Sequence, residues 1–355
     1  MQIKNWFVWV LFTFLYLQSG TVYTQEKTIK IGLIASLSGF AAPYGKAVLD
    51  GIEVALSQST NKNISLIVED DMSQPRGAIS AYKKLKDIDK IDGLIGGSWW
   101  VNSIVKITEQ DSMPFISCET LYDKDFIKAP NYFSLAGDLR DWIKAFSPLI
   151  DHKKWQKAVM IKFNSGFSDT LELELKQIFS KDKKTFLDSI EYSDIQMTGA
   201  ATLALRAISK KPDVIFVDAQ PESFAIFVKE LKKIKFKDIS ILTHSVAEDA
   251  VKNNLLSPFD INEFVFFLRR NTYDQGFTRE FTKTKGVEPY LNADLGYYAA
   301  HLLSKALKQE NPIDSLKAGV EINSLKFNFD ENNISNFIKQ IVYTYKDSEI
   351  VKSVN

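Results

Sequence analysis

Continuous apolar runs of strand length alternate along this chain with segments whose apolar residues recur at helical spacing. IKIGLIAS (29–36) is apolar almost throughout and closes at Ser38-Gly39. From Tyr44 the period changes, with Val48, Ile52, Ala55 and Leu56 on one helical face and Lys46, Asp50, Glu53 and Ser57 opposite. ISLIVED (64–70) is a second strand, and Pro75 then opens a helix whose inner face is Ala78, Tyr82 and Leu85. IDGLIGG (91–97) and MPFISC (113–118) are two further strands around a short helix at 101–110. After a break near Gly137 the rhythm restarts with strands at 157–163, 185–193, 212–218, 239–245 and 262–270. Helices at 167–179, through Leu203 and Ile208, and at 221–235 fall between the first four of them.

Apolar strands without alternation, separated by helices, are the mark of parallel sheets covered on both faces. Two consecutive sets predict an α/β fold of two Rossmann-like doubly wound parallel-sheet lobes. The tail departs from the rhythm: 296–308 reads as a long helix, and 323–330 with 339–346 as a late hairpin.

The front of the chain is patterned differently. Lys4 precedes Trp6 to Leu17, apolar except for Thr13, and a polar small-residue stretch follows. This predicts a secretory signal peptide over 1–24, cut after Thr24 or nearer Ser19 and Gly20, and hence a periplasmic protein. The apolar run is short of the ~20 residues of a membrane span; an uncleaved anchor is the alternative. No cysteine lies near the cut, which argues against a lipoprotein.

Composition narrows the function. The 355 residues suit two domains, and 44 basic against 44 acidic side chains leave no electrostatic footprint for nucleic acid. Cys118, the single cysteine, excludes an internal disulfide, so the cores alone must hold the exported protein. There is no GxSxG, HExxH or paired CxxC. GFAAPYGKA (39–47) has one residue too many between its glycines for a phosphate loop, and Ala47 where magnesium needs a hydroxyl. Glu69, Asp70 and Asp71 end a strand rather than gather on one face, so neither a metal nor a cofactor is implied. Cys118 and His244 form a conceivable nucleophilic pair; the plainer reading is a buried thiol and a loop histidine.

Loops at the carboxyl ends of parallel strands are where such sheets bind ligands. Here they carry Ser36 to Gly39 with Tyr44, then Ser98-Trp99-Trp100, then Ser117-Cys118-Glu119-Thr120. The second half offers Asn164 to Ser168, Asp218-Ala219-Gln220 and Thr243-His244-Ser245. Helix-capping hydroxyls account for any one loop alone. Adjacent tryptophans at a loop-to-helix junction point instead to a pocket lining.

IKIGLIASLSGFAAPYGKAVLDGIEVAL, LIVEDDMSQPRGAISAYKKL, DGLIGGS and MPFIS, in that order and spacing, resemble the Leu/Ile/Val-binding group of type I periplasmic binding proteins. The likeness continues through PDVIFVDAQPES, NTYDQGF and LGYYAAHLL. It implies a three-crossover hinge near 137–140, 268–273 and 328–333. Lobe 1 would then be 25–138 plus 271–330, and lobe 2 would be 139–270 plus 331–355. The implied ligand residues are Tyr44, Ser98, Trp99, Trp100, Ser117, Glu119, Thr120, Leu121, Phe167, Gln220 and Ser245. Ser245 stands where amino-acid binders carry the acid that pairs with the ligand ammonium. With a serine there, Glu119, Asp218 or Glu248 takes that role, or the ligand has no ammonium. The resemblance thus implies a monomer that captures an amino acid, aromatic acid or amide and delivers it to a membrane ABC permease. A sensor module feeding a membrane kinase is the alternative, and an exported hydrolase a third reading.

Overall fold

The structure, a computed structural model, describes residues 27–59, 63–120, 122, 129–181, 183–194, 196–234, 238–270, 274–335 and 337–353. The expected signal peptide, Leu121, and hinge residues 271–273 lie outside the described residues. Five strands form a parallel sheet: β1 (Ile29–Ala35), β2 (Ile64–Asp70), β3 (Gly93–Gly97), β4 (Phe115–Ser117) and β5 (Tyr132–Ser134), in the order β2-β1-β3-β4-β5. The second sheet begins with β6 (Lys157–Phe163), β7 (Thr185–Tyr192), β8 (Val214–Val217), β9 (Ser240–Thr243) and β10 (Val265–Arg270), all parallel. A separate two-stranded ribbon follows, β11 (Val320–Ile322) with β12 (Leu325–Phe327). The last strands, β13 (Gln340–Lys346) and β14 (Glu349–Lys352), then extend the second sheet antiparallel, giving β14-β13-β10-β9-β8-β6-β7.

The predicted fold class is borne out. The late hairpin is corrected: 323–330 does not pair with 339–346, and two short ribbons stand instead. Each turns on two residues in left-handed backbone, Asn323-Ser324 and Asp347-Ser348. Such two-residue connections suit the strand twist, but without glycine they do not stand out in the sequence. β5 also escaped prediction.

In each sheet the strand order reverses beside the first strand of its set, between β1 and β3 and between β6 and β8. Those reversals open crevices at the carboxyl ends, where helices diverge to opposite faces. The chain passes between the sheets three times: after β5, after β10, and between Ile334, which bridges to Ser134, and β13.

Packing explains how a helix some 240 residues downstream becomes part of the first sheet's core. Helix Ala293–Ala306 lies against helix Ala42–Ser57 with glycines facing backbone. A Cβ on Gly51 would strike the Ala293 carbonyl, and one on Gly296 the Val48 carbonyl. Neither obstacle is a flexible side chain, so Gly296→Ala is expected to destabilise the protein by about 1–3 kcal/mol. An unchanged urea midpoint would mean that the helices separate freely.

Candidate functional site

The first wall is built on a buried acid. Asp71, just past β2, is fully buried and accepts from Ser36 Oγ at 2.8 Å, from the Ser73 amide at 2.9 Å, and from Ser98 Oγ. This holds Ser98 as the cap of the 3-10 helix Trp99–Ile104, its oxygen receiving the Trp100 amide at 3.1 Å. The capped turn sends the two tryptophans different ways. Trp99 stands among rings, 5.7 Å from Phe40 and 5.4 Å from Tyr44, and Tyr290 lies 5.8 Å beyond Tyr44. Trp100 packs against the core of Tyr82, Ile104 and Phe115 instead, with its indole nitrogen buried.

Deeper in, Ser117 at the end of β4 receives the Glu119 amide at 3.1 Å. The Glu119 carboxyl is buried beside Asn292 and Trp99, and its Oε1 has no partner among the described residues. Burial pushes its pKa up to about 8, more than the Arg270 cation lowers it. Arg270, at the end of β10, bonds Asp294 at 2.6 Å and Asn292 at 3.4 Å. Thr120 is half-buried beside Glu119.

The second wall comes from the other sheet. Phe167, at the start of helix Gly166–Ile178, lies 5.9 Å from Trp142 and 6.4 Å from His244. Tyr122 reaches across from the first sheet, its ring 6.2 Å from Phe167 and its carbonyl accepting from Thr170 Oγ1 at 3.2 Å. Asp218, following β8, bonds His244 Nε2 at 3.2 Å and Ser168 Oγ. Gln220 and Ser245 begin the next two helices, Pro221–Lys233 and Val246–Lys252, and both are half-buried. One turn beyond Ser245, Asp249 is buried with its Oδ2 unpartnered among the described residues. Burial pushes Asp249 up to about 6, against the lowering pull of Lys252 and His244. Burial first, then Tyr290 and the acids Asp249 and Glu222, hold the Tyr44 phenol far above its ordinary pKa.

Tyr44, Ser98, Trp99, Ser117, Glu119 and Thr120 thus lie beyond the carboxyl ends of the first sheet and Phe167, Gln220 and Ser245 beyond those of the second, with Tyr122 touching Phe167 between them. Cys118 and His244 are not paired. The thiol is in the first core, its pKa pushed up by burial, while the imidazole sits on the second wall. Among the described residues no group of side chains has metal-ligand geometry, and no helix is long and apolar enough to cross a membrane. A depression lined by Ile226, Lys229, Lys233 and Asp260 lies on helix Pro221–Lys233, away from these loops.

Residues 28–338 match the family model described as periplasmic binding protein. The chain belongs to that family. No curated protein matches it. Among solved structures, this periplasmic binding protein is similar to a solute-binding protein of an ABC transporter from R. palustris, in complex with benzoate. That match has 20% identity and a TM-score of 0.76, over 92% of this chain and 95% of that one. A leucine-binding protein from Thermotoga maritima matches at 17% identity and TM-score 0.77, covering 91% and 97%. A branched-chain amino acid binding protein from Streptococcus pneumoniae, in complex with isoleucine, matches at 19% and 0.75, covering 91% and 98%. The resemblance to the Leu/Ile/Val-binding group is borne out in the fold.

Sequence reasoning missed several groups of this binding protein's cleft: Phe40, Trp142, Tyr290, Asn292, Arg270 and Asp249. The signal for Asp249 was present, since it lies four residues after Ser245 and so on the same helix face. The others arrive from turns and crossings far away in sequence, which no local pattern connects.

Proposed function

We propose that this periplasmic binding protein is an exported, non-enzymatic receptor that encloses a small organic solute between two lobes and presents it to a membrane ABC permease. The lobes are those of the sequence reading, 25–138 plus 271–330 and 139–270 plus 331–355. The observation that carries this reading is the meeting of carboxyl-end loops from two separate sheets across an aromatic cleft. Phe40, Tyr44 and Trp99 stand on one side, and Trp142 and Phe167 on the other.

A solute drives closure only by binding the closed arrangement better than the open one. Three chain crossings supply a hinge that can absorb the backbone change. Tyr44, Trp99, Ser117, Glu119 and Thr120 form the first hold, and Phe167, Gln220 and Ser245 the latch. Trp100 acts from behind, as core support for the turn that presents Trp99.

Thermal-shift screening of the mature protein with amino acids, aromatic acids, amides and amines tests this reading. A bound solute raises the melting temperature by mass action, about 2.7 kcal/mol of added stability at a hundred times Kd. Small-angle scattering should show a smaller radius of gyration with that solute. A particle equally compact with and without every candidate, and no thermal shift, would end the proposal.

A further inference from the structure

Five buried carboxyls line the cleft and the hinge beside it: Asp71, Glu119, Asp218, Asp249 and Asp294. Three are accounted for by their partners. Asp71 is held by hydroxyls and an amide, Asp218 by His244 and Ser168, and Asp294 by Arg270 and the Leu295 amide. Glu248, another acid considered for the ammonium, pairs with Lys252 at 2.8 Å and Arg269 at 3.3 Å. Glu119 and Asp249 remain, each at least nine-tenths buried and each with an unpartnered oxygen among the described residues.

A buried carboxyl without a full set of partners is costly, and here the opposing charge is scarce. Arg270 already bonds Asp294 and Asn292. His244 is committed to Asp218. Two hydroxyls that could receive a ligand carboxylate, those of Ser98 and Ser117, are engaged as well. Ser98 Oγ serves Asp71 and the Trp100 amide, Ser117 Oγ serves the Glu119 backbone, and the Glu119 carboxyl lies beside them. Asp249 is thus left short of partners, and the π faces of the cleft attract cations.

Resting on the solute-binding reading above, we propose that the solute is an organic ammonium ion, its cationic head paired with Asp249 and laid against the rings of Tyr44 and Trp99. Its apolar body fills the space towards Phe167 and Trp142. Asp249 takes the place left vacant by Ser245 from one turn further along the same helix. A free carboxylate on the solute is disfavoured, because Arg270 and His244 are already paired with Asp294 and Asp218.

Isothermal titration with phenethylamine, tyramine and choline, set against phenylacetate, benzoate and phenylacetamide, tests this class. At least one of the three cations should bind wild-type protein, and the two acids should not. Asp249→Asn should weaken that cation at least 30-fold while melting no lower than wild type without it, because it removes a buried, half-partnered charge. Asp249→Glu should restore part of the affinity. Binding of an acid or the neutral amide without any cation would overturn the ammonium assignment and leave the solute receptor standing. Equal affinity of wild type and Asp249→Asn would remove Asp249 from the site. No binding by any probe, together with no compaction in scattering, would sink both readings.

Discussion

Replacing Trp99 with alanine is expected to weaken solute binding about 50-fold while leaving the fold intact. Trp99 is only half-buried, touches the rings of Phe40 and Tyr44, and lies beside Glu119. Its loss removes an aromatic wall and uncovers Glu119, two effects that together amount to roughly 2–3 kcal/mol for a buried aromatic anchor. The neighbouring substitution should behave in the opposite way. Trp100 packs against the core near Tyr82 and Phe115, so Trp100→Ala should cost about 3 kcal/mol of stability and little affinity per folded molecule. Calorimetric titration and urea denaturation of both variants separate the two roles. If Trp100→Ala lost the binding and Trp99→Ala kept it, the described split of the tryptophans would be wrong.

The second large effect is a pH dependence set by Glu119. Its pKa rises from an ordinary 4.5 to about 8 in the folded protein, chiefly through burial. Between those values the native state holds a proton that the unfolded chain has released. Stability from this group therefore falls as pH rises, by about 1.4 kcal/mol per pH unit, and levels off above the folded pKa. Glu119→Gln keeps the shape and removes the titration. The stability of the variant relative to wild type should grow by about 4 kcal/mol between pH 5 and pH 8. Asp249, raised to about 6, adds a similar slope below that value in both proteins and cancels from the difference. Urea midpoints at the two pH values check the sign, and a constant difference would show that Glu119 is already ionised at pH 5.

The ring cluster shows why the binding loops could be found in sequence while their partners could not. Ser98, Ser117, Phe167, Gln220 and Ser245 all sit within a few residues of a strand end, Tyr44 opens the helix after β1, and strand ends follow from apolar periodicity. Arg270, Asn292 and Asp294 reach the cleft because the chain crosses between sheets and helix Ala293–Ala306 docks on helix Ala42–Ser57. That docking depends on glycines meeting backbone over a separation of more than 240 residues, and no local pattern encodes it. The two tryptophans make the same point over one residue. Their adjacency marked the junction, but only the Ser98 cap, itself held by Asp71, decided which ring faces the cleft.

By itself the sequence determined the alternation of strands and helices, the two parallel sheets and the loops that would carry a site, because burial on both faces of a sheet leaves its signature residue by residue. The tertiary structure alone decided the charge of that site. Whether a carboxyl is matched depends on which distant groups reach it through space, and Asp249 and Glu119 differ from the chain's other acids only in what packs around them.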